Sequence, residues 1–223
     1  MRSTADIPLD PKKLSQIYRV LLGFIGVSCA VEAALVLADL GWIGSARWRP
    51  LSYQYGGFWA GLLHGWRPNY DAQPFAMFIT YAFLHSGPGH LIGNMLTLLW
   101  LGPTVVARLG TGRFTLLYFI SMLGGGAVFG LLSRSPSPMV GASGAIMGLA
   151  AAWIVWDWQD RRQDGIRGWA AARWAVGATL ALAVLNLVMW YWLDGVLAWQ
   201  THLGGFVAGA IMALVLGHRR NRP

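Results

Sequence analysis

Six apolar runs separated by short polar stretches leave this chain few ways to fold. They extend from Tyr18 to about Trp42 and over His90–Val106, Phe114–Leu132, Ser143–Trp158, Trp174–Leu193 and Val196–Gly217. A hydrocarbon core about 30 Å thick takes around 20 helical residues to cross. In lipid the backbone must satisfy its own hydrogen bonds, and a helix does so within a single segment. A soluble globule is excluded by its surface: 56% of the 223 residues are hydrophobic and 12% charged, too few to cover a water-facing exterior. The sequence therefore predicts an all-α membrane protein with six transmembrane helices.

The segments between the runs fill in the organisation. Residues 1–16 are polar, with Lys12 and Lys13 and with Pro8 and Pro11 interrupting any helix, and read as a short cytosolic tail. Residues 17–218 form the membrane domain, and 219–223 a basic cytosolic C-terminal tail. The first run follows basic residues as a signal peptide would, but it exceeds the usual core of about 7–15 residues and contains Glu32, so it reads as a retained anchor. Glu32 is either functional or paired inside the bundle, and pairing is the commoner fate of an intramembrane acid. Residues 42–78 carry Trp42, Trp48, Tyr53, Tyr55, Trp59, Trp66 and Tyr70. Amphipathic rings at this density favour the headgroup layer, which predicts a long interfacial loop between helices 1 and 2 that does not cross. The single cysteine, Cys29, excludes an internal disulfide.

Charge sets the orientation. The formal charge of +8 sits in clusters between apolar runs, with no stripe along one face, so the lipid bilayer is the expected partner and nucleic acid is not. With the N-terminus in the cytosol, Arg108, Arg113, Arg161, Arg162, Arg167 and Arg173 join both basic tails on the inner side, against Arg47, Arg49, Arg67 and Arg134 outside. That asymmetry supports six spans with both ends inside. Helices 2, 4 and 6 then all run inward, and their N-terminal ends share the outer side.

Depth brings particular side chains together. Ser143 lies 18 residues before Arg161, His202 17 before Arg219, and His90 18 before Arg108, or about 27, 26 and 27 Å above the inner boundary at 1.5 Å per residue. Asn94, 14 residues before Arg108, lies about 21 Å above it. Polar groups are costly at membrane depth and tend to find one another or to line a water-filled cavity. A serine is a poor nucleophile until a base takes its proton, and neutral histidine suits that task near neutral pH. Ser143 and His202 supply such a pair. Acyl transfer also needs donors aimed at the oxyanion, which the amides around Ser143 at a helix N-terminus, with His90 and Asn94, can provide. Gly141 and Gly144 allow close backbone approach.

Each piece taken alone has a plainer explanation. Gly141-Ala142-Ser143-Gly144 can be a close helix contact, Asn94 can bond a neighbouring helix, and Gly204-Gly205-x-x-x-Gly209 reads most simply as a packing face that lets helix 6 approach helix 4. His64 and His218 read as polar anchors. Asp194, eight residues before His202, can orient the imidazole but reads first as a surface loop acid. No third catalytic member stands out, which leaves a Ser–His dyad. The soluble serine hydrolases fit less well, since their G-x-S-x-G elbow follows a strand and the second residue after Ser143 is Ala145.

Jointly, His85, His90-Leu-Ile-Gly-Asn94, Gly141-Ala-Ser143-Gly144 and His202-Leu-Gly-Gly205-x-x-x-Gly209 resemble the rhomboid intramembrane serine proteases, over about Thr80 to Gly209. The resemblance implies a six-transmembrane-helix rhomboid-like bundle whose water-accessible site opens outward. It implies Ser143 as nucleophile, His202 as general base, His90 and Asn94 with Ser143 at the oxyanion hole, and His85 at the cavity mouth. It likewise implies a membrane-embedded loop between helices 1 and 2 and a substrate gate at helix 5.

Three positions depart from the family pattern. Ala76-Met77 stand where many members have Trp-Arg, Val106 where many have Glu, and Met147 where an aromatic often stacks on the catalytic histidine. The first two read as scaffold contacts. A thioether at Met147 still packs against an imidazole, with a looser hold. The expected function is hydrolysis of peptide bonds in or near the membrane segments of single-span substrates. No cofactor is expected, and no metal, since His85 and His90 lack a Cys or carboxylate at ligand spacing. The expected location is a bacterial inner (cell) membrane. The rival readings are a catalytically inactive relative that binds membrane proteins and a transporter. The second lacks an internal repeat and an intramembrane carboxylate pair.

Overall fold

The computed structural model describes residues 11–216. Its helices are α1 (Pro11–Asp39), α2 (Trp48–Gly56), α3 (Gln73–Thr80), α4 (Pro88–Leu109), α5 (Thr111–Leu132), α6 (Ser143–Gln163), α7 (Trp169–Trp192) and α8 (Trp199–Val215). Single 3-10 turns at Ala60–Leu63 and Tyr81–Phe83 complete the helical elements among the described residues. The six apolar runs correspond to α1 and α4 to α8. The helix α1 begins at Pro11, inside the stretch expected to be a non-helical tail. Proline is tolerated at a first helical position because its missing N–H has no intrahelical partner there. The predicted C-terminal tail and His218 lie outside the described residues.

By length and composition, residues 15–39 of α1 and all of α4, α5 and α7 can cross a membrane. The other two long helices differ for physical reasons. The last two turns of α6 carry Asp157, Asp160, Arg161 and Arg162, and α8 has only 17 residues. Helix α6 is largely buried in protein, and α8 buries its glycine face while Leu203, Val207 and Ile211 stay exposed. A methyl group at Gly205 would run into the Gly144 carbonyl, and one at Gly209 into the Gly148 backbone, so the expected packing face does bring α8 onto α6. The same helix also meets α5, where Gly204 sits against the Gly124 carbonyl. Gly125 extends that seam, a Cβ there lying 3.0 Å from the Thr201 carbonyl oxygen, whereas Gly126 faces the Phe58 ring, 2.9 Å from where its Cβ would be. Close backbone approach of this kind is how helices associate without a hydrophobic driving force between them.

Two ion-pair clusters hold the ends of the bundle. Glu32, 2% exposed, pairs at 2.9 Å with Arg49 of α2, which also reaches Asp39 at 2.6 Å. Glu32 is thus paired, as the structural reading of an intramembrane acid requires. Burial alone would lower the Arg49 pKa, but hydrogen bonds to Glu32, Tyr53 and Asp39 outweigh it and hold the guanidinium above its ordinary value. The Tyr53 hydroxyl donates to the His85 carbonyl at 2.7 Å, tying this cluster to the approach to α4. Within residues 42–78 the longest helix has nine residues, about 14 Å, which is too short to span. Trp42, Trp48, Tyr55, Trp66 and Tyr70 of that segment are exposed. At the opposite end Arg108 of α4 meets Asp160 of α6 at 2.6 Å and lies 5.2 Å over Trp156. The C-termini of α4 and α6 therefore lie together, as two helices running in the same direction must.

Candidate active site

Three helix N-termini converge at the end away from Arg108 and Asp160. Ser143 opens α6, while His202 lies in the first turn of α8 and His90 in that of α4. Unpaired first-turn N–H groups make such ends electropositive. The loop before Ser143 is fixed by an isolated bridge between Phe58 and Met139 and by the Gly141 N–H donating to the Tyr81 carbonyl at 2.9 Å. Gly141 has φ +124°, which L side chains rarely adopt, and a Cβ there would lie 2.7 Å from His90 Cε1. Only glycine meets both conditions.

The His202 ring lies between two partners. Its Nε2 is 2.8 Å from Ser143 Oγ, and its Nδ1 is 2.5 Å from Oδ1 of Asn186 on α7. The Asn186 amide nitrogen donates to the Leu182 carbonyl at 3.0 Å, which leaves its carbonyl oxygen turned to the imidazole. A carbonyl oxygen only accepts, so Nδ1 carries the proton and Nε2 presents its lone pair to the Ser143 hydroxyl. All three side chains are half-buried. Met147, one turn after Ser143, lines a cavity of about 520 Å³ beside this pair together with Trp190, Trp199 and Phe206.

His90 is oriented by its own loop. The Ser86 N–H donates to its Nδ1 at 3.3 Å, and Ser86 Oγ lies 2.9 Å from the same atom. In the neutral ring this leaves the proton on Nε2, the edge turned toward Gly141. Asn94 is buried and donates to the His90 carbonyl at 3.0 Å, with a second amide hydrogen to spare. His85 has no exposed surface, and its ring stands edge-on to His90 at 5.3 Å. It is therefore a buried neighbour of His90, not a residue of an open mouth. His64 Nε2 meets the Gly130 carbonyl at 2.8 Å, an ordinary anchor. Asp194 follows α7 at φ +49°, and the place beside the His202 Nδ1 is taken by Asn186. Met77 and Val106 are buried in the core, in keeping with scaffold roles.

Sequence reasoning missed Asn186, Ser86 and the buried Tyr81, whose hydroxyl donates to the Met122 carbonyl at 2.8 Å. The signal for Asn186 was a lone amide within an apolar helix.

A family model described as the Rhomboid domain matches residues 72–219. RHOMBOID-like protein 1 of Arabidopsis thaliana is 32% identical over 142 residues, covering 61% of this chain and 33% of that protein. Rhomboid protease GluP of Bacillus subtilis is 29% identical over 140 residues, 62% of this chain and 25% of its own length. Rhomboid-type serine protease 2 of Emericella nidulans is 28% identical over 143 residues, 61% of this chain and 26% of that protein. The matched part of the chain thus spans only a quarter to a third of these relatives.

Proposed function

The chain belongs to the rhomboid family of intramembrane serine proteases, and from that premise we propose that it is itself an active endopeptidase using Ser143 and His202. The 2.8 Å contact between Ser143 Oγ and an Nε2 lone pair is the observation that supports this most directly. The hydroxyl proton passes to Nε2 as Oγ attacks the scissile carbonyl, and the imidazolium then returns it to the departing amine. Water hydrolyses the resulting acyl-enzyme by the same relay. Charge on the tetrahedral oxygen falls beside the N-terminus of α6, the His90 Nε2–H and the Asn94 amide, the donors that acyl transfer requires.

In this reading α1 and α4 to α8 are the six spans, both ends are cytosolic, and the site opens on the outer side of a bacterial inner membrane. Residues 42–78 lie in the outer interface. The substrates are single-span membrane proteins. A substrate helix hides its carbonyls in i to i−4 bonds, so small or helix-breaking residues near its outer end favour attack. A serine-directed fluorophosphonate, with cleavage of a single-span substrate in detergent, tests the assignment. Label on the wild type, none on Ser143→Ala, and turnover undiminished by a chelator are expected. A wild type with neither Ser143-dependent label nor cleavage would assign the chain to the inactive, substrate-binding alternative.

A further inference from the structure

Resting on that reading, we propose that Asn186 is a positioning residue that fixes the tautomer and orientation of His202, giving the site a Ser–His–Asn relay that spans α6, α8 and α7. The geometry is specific at both ends of the amide. Its nitrogen is occupied by the Leu182 carbonyl at 3.0 Å, and its oxygen accepts from His202 Nδ1 at 2.5 Å. A flipped amide would place N–H against N–H and lose both bonds. An imidazole held in this way has its proton on the side away from the serine, which is the form a general base needs.

The surroundings argue against a merely local asparagine. Most of α7 is exposed, and Ala171 is its only buried residue. Its aromatic anchoring to α6 is at the inner end, where Trp174 meets Trp153 at 5.1 Å and Arg161 at 5.9 Å. Toward the outer end α7 and α8 are parted by the 520 Å³ cavity, whose lining is apolar except for Thr179, Asn186 and His202. Asn186 and His202 therefore bond across an otherwise apolar cleft. Met147 occupies the position where a stacked aromatic would steady the ring, and a flexible thioether specifies orientation less well. The Asn186 bond provides that control from the opposite side. Because it comes from the least embedded long helix, the position of α7 governs whether His202 is set for proton transfer.

Asn186→Leu removes the acceptor while keeping the same branched heavy-atom skeleton, and Asn186→Asp keeps an acceptor oxygen in the same place. With a single-span substrate in detergent, Asn186→Leu should lower kcat by at least about 10–100-fold, the size of effect seen when a hydrogen-bond partner that orients a metal-bound histidine is lost. KM should change less than about twofold on the same grounds. The rate of fluorophosphonate labelling should fall in parallel, and Asn186→Asp should recover most of both. If Asn186→Leu does not purify as a folded protein, Asn186→Ala gives the same readout on an exposed helix. Wild-type kcat in the Leu and Ala variants, or equal losses in Leu and Asp, would overturn the positioning role while leaving the dyad intact. A wild type without Ser143-dependent labelling would overturn the dyad itself and this inference with it.

Discussion

Single side chains separate the roles within the site. If Ser143 and His202 act as one unit, Ser143→Ala and His202→Ala should each abolish turnover, and the double variant should be no worse than either, because one without the other has no partner. Asn94→Ala should behave differently. Loss of one oxyanion donor costs about 10²–10³ in rate, and the backbone amides and His90 remain. Residual cleavage by Asn94→Ala in a sensitive assay, with its fluorophosphonate label retained, is the expected outcome. Full turnover by His202→Ala would remove the base from the scheme. Ser143, His202 and His90 were legible in the sequence because polar groups are rare at membrane depth and their distances from basic anchors agree. Asn186 obeys the same arithmetic, 13 residues after Arg173 or about 20 Å from the inner boundary. It was missed because an asparagine in an apolar helix can always satisfy its amide on the i−4 carbonyl. Its bond to Leu182 does so, and the sequence looks the same whether or not the oxygen has a partner.

At the scale of helices, the seam between α6 and α8 determines whether Ser143 and His202 meet at all. Gly205→Ala places a methyl group against the Gly144 carbonyl, one residue from the nucleophile, and neither backbone can yield locally. Overpacking of this kind costs about 1–3 kcal/mol or more, so a clearly lowered Tm in detergent and lost cleavage are expected together. Gly177→Ala on α7 is the control: nothing lies within 4 Å of the added methyl, and alanine in a helix interior gains about 0.5–1 kcal/mol over glycine. A Gly205→Ala protein as stable and active as wild type would mean that the seam is looser than described. The packing role of Gly204, Gly205 and Gly209 was readable from their spacing, whereas the part of Gly124 to Gly126 was not. A glycine run shows that backbones approach without showing which one does. Helix limits were blurred for another reason. Apolar runs mark contact with lipid or core, while α4 and α7 begin at Pro88 and Trp169, ahead of their apolar runs, where backbone bonding starts. The short helices α2 and α3 went unseen because residues 42–78 owe part of their order to a distant contact, between Arg49 and Glu32.

For the whole molecule, orientation follows from which end carries the site. The N-termini of α4, α6 and α8 gather at one end with Ser143, and Arg108, Asp160 and Arg161 mark the other. Arg113 in the first turn of α5, Arg162 in the last turn of α6 and Arg167 in the loop after it flank that second end, which in the proposed topology faces the cytosol, as the positive-inside rule expects. Ser137 lies in the exposed loop that leads to the site, and Gln163 is exposed at the far end of α6. The two positions are therefore separated by the length of one helix, 21 residues or about 32 Å, which is the thickness of a hydrocarbon core. With Cys29 replaced by serine, a thiol at position 137 should react with a membrane-impermeant maleimide on intact cells, and one at position 163 only after permeabilisation. Reversed labelling would invert the topology and place Ser143 at the cytosolic face. Labelling of both positions from outside would mean that α6 does not cross the bilayer, and the shared depth of Ser143, His202 and His90 would then need another cause.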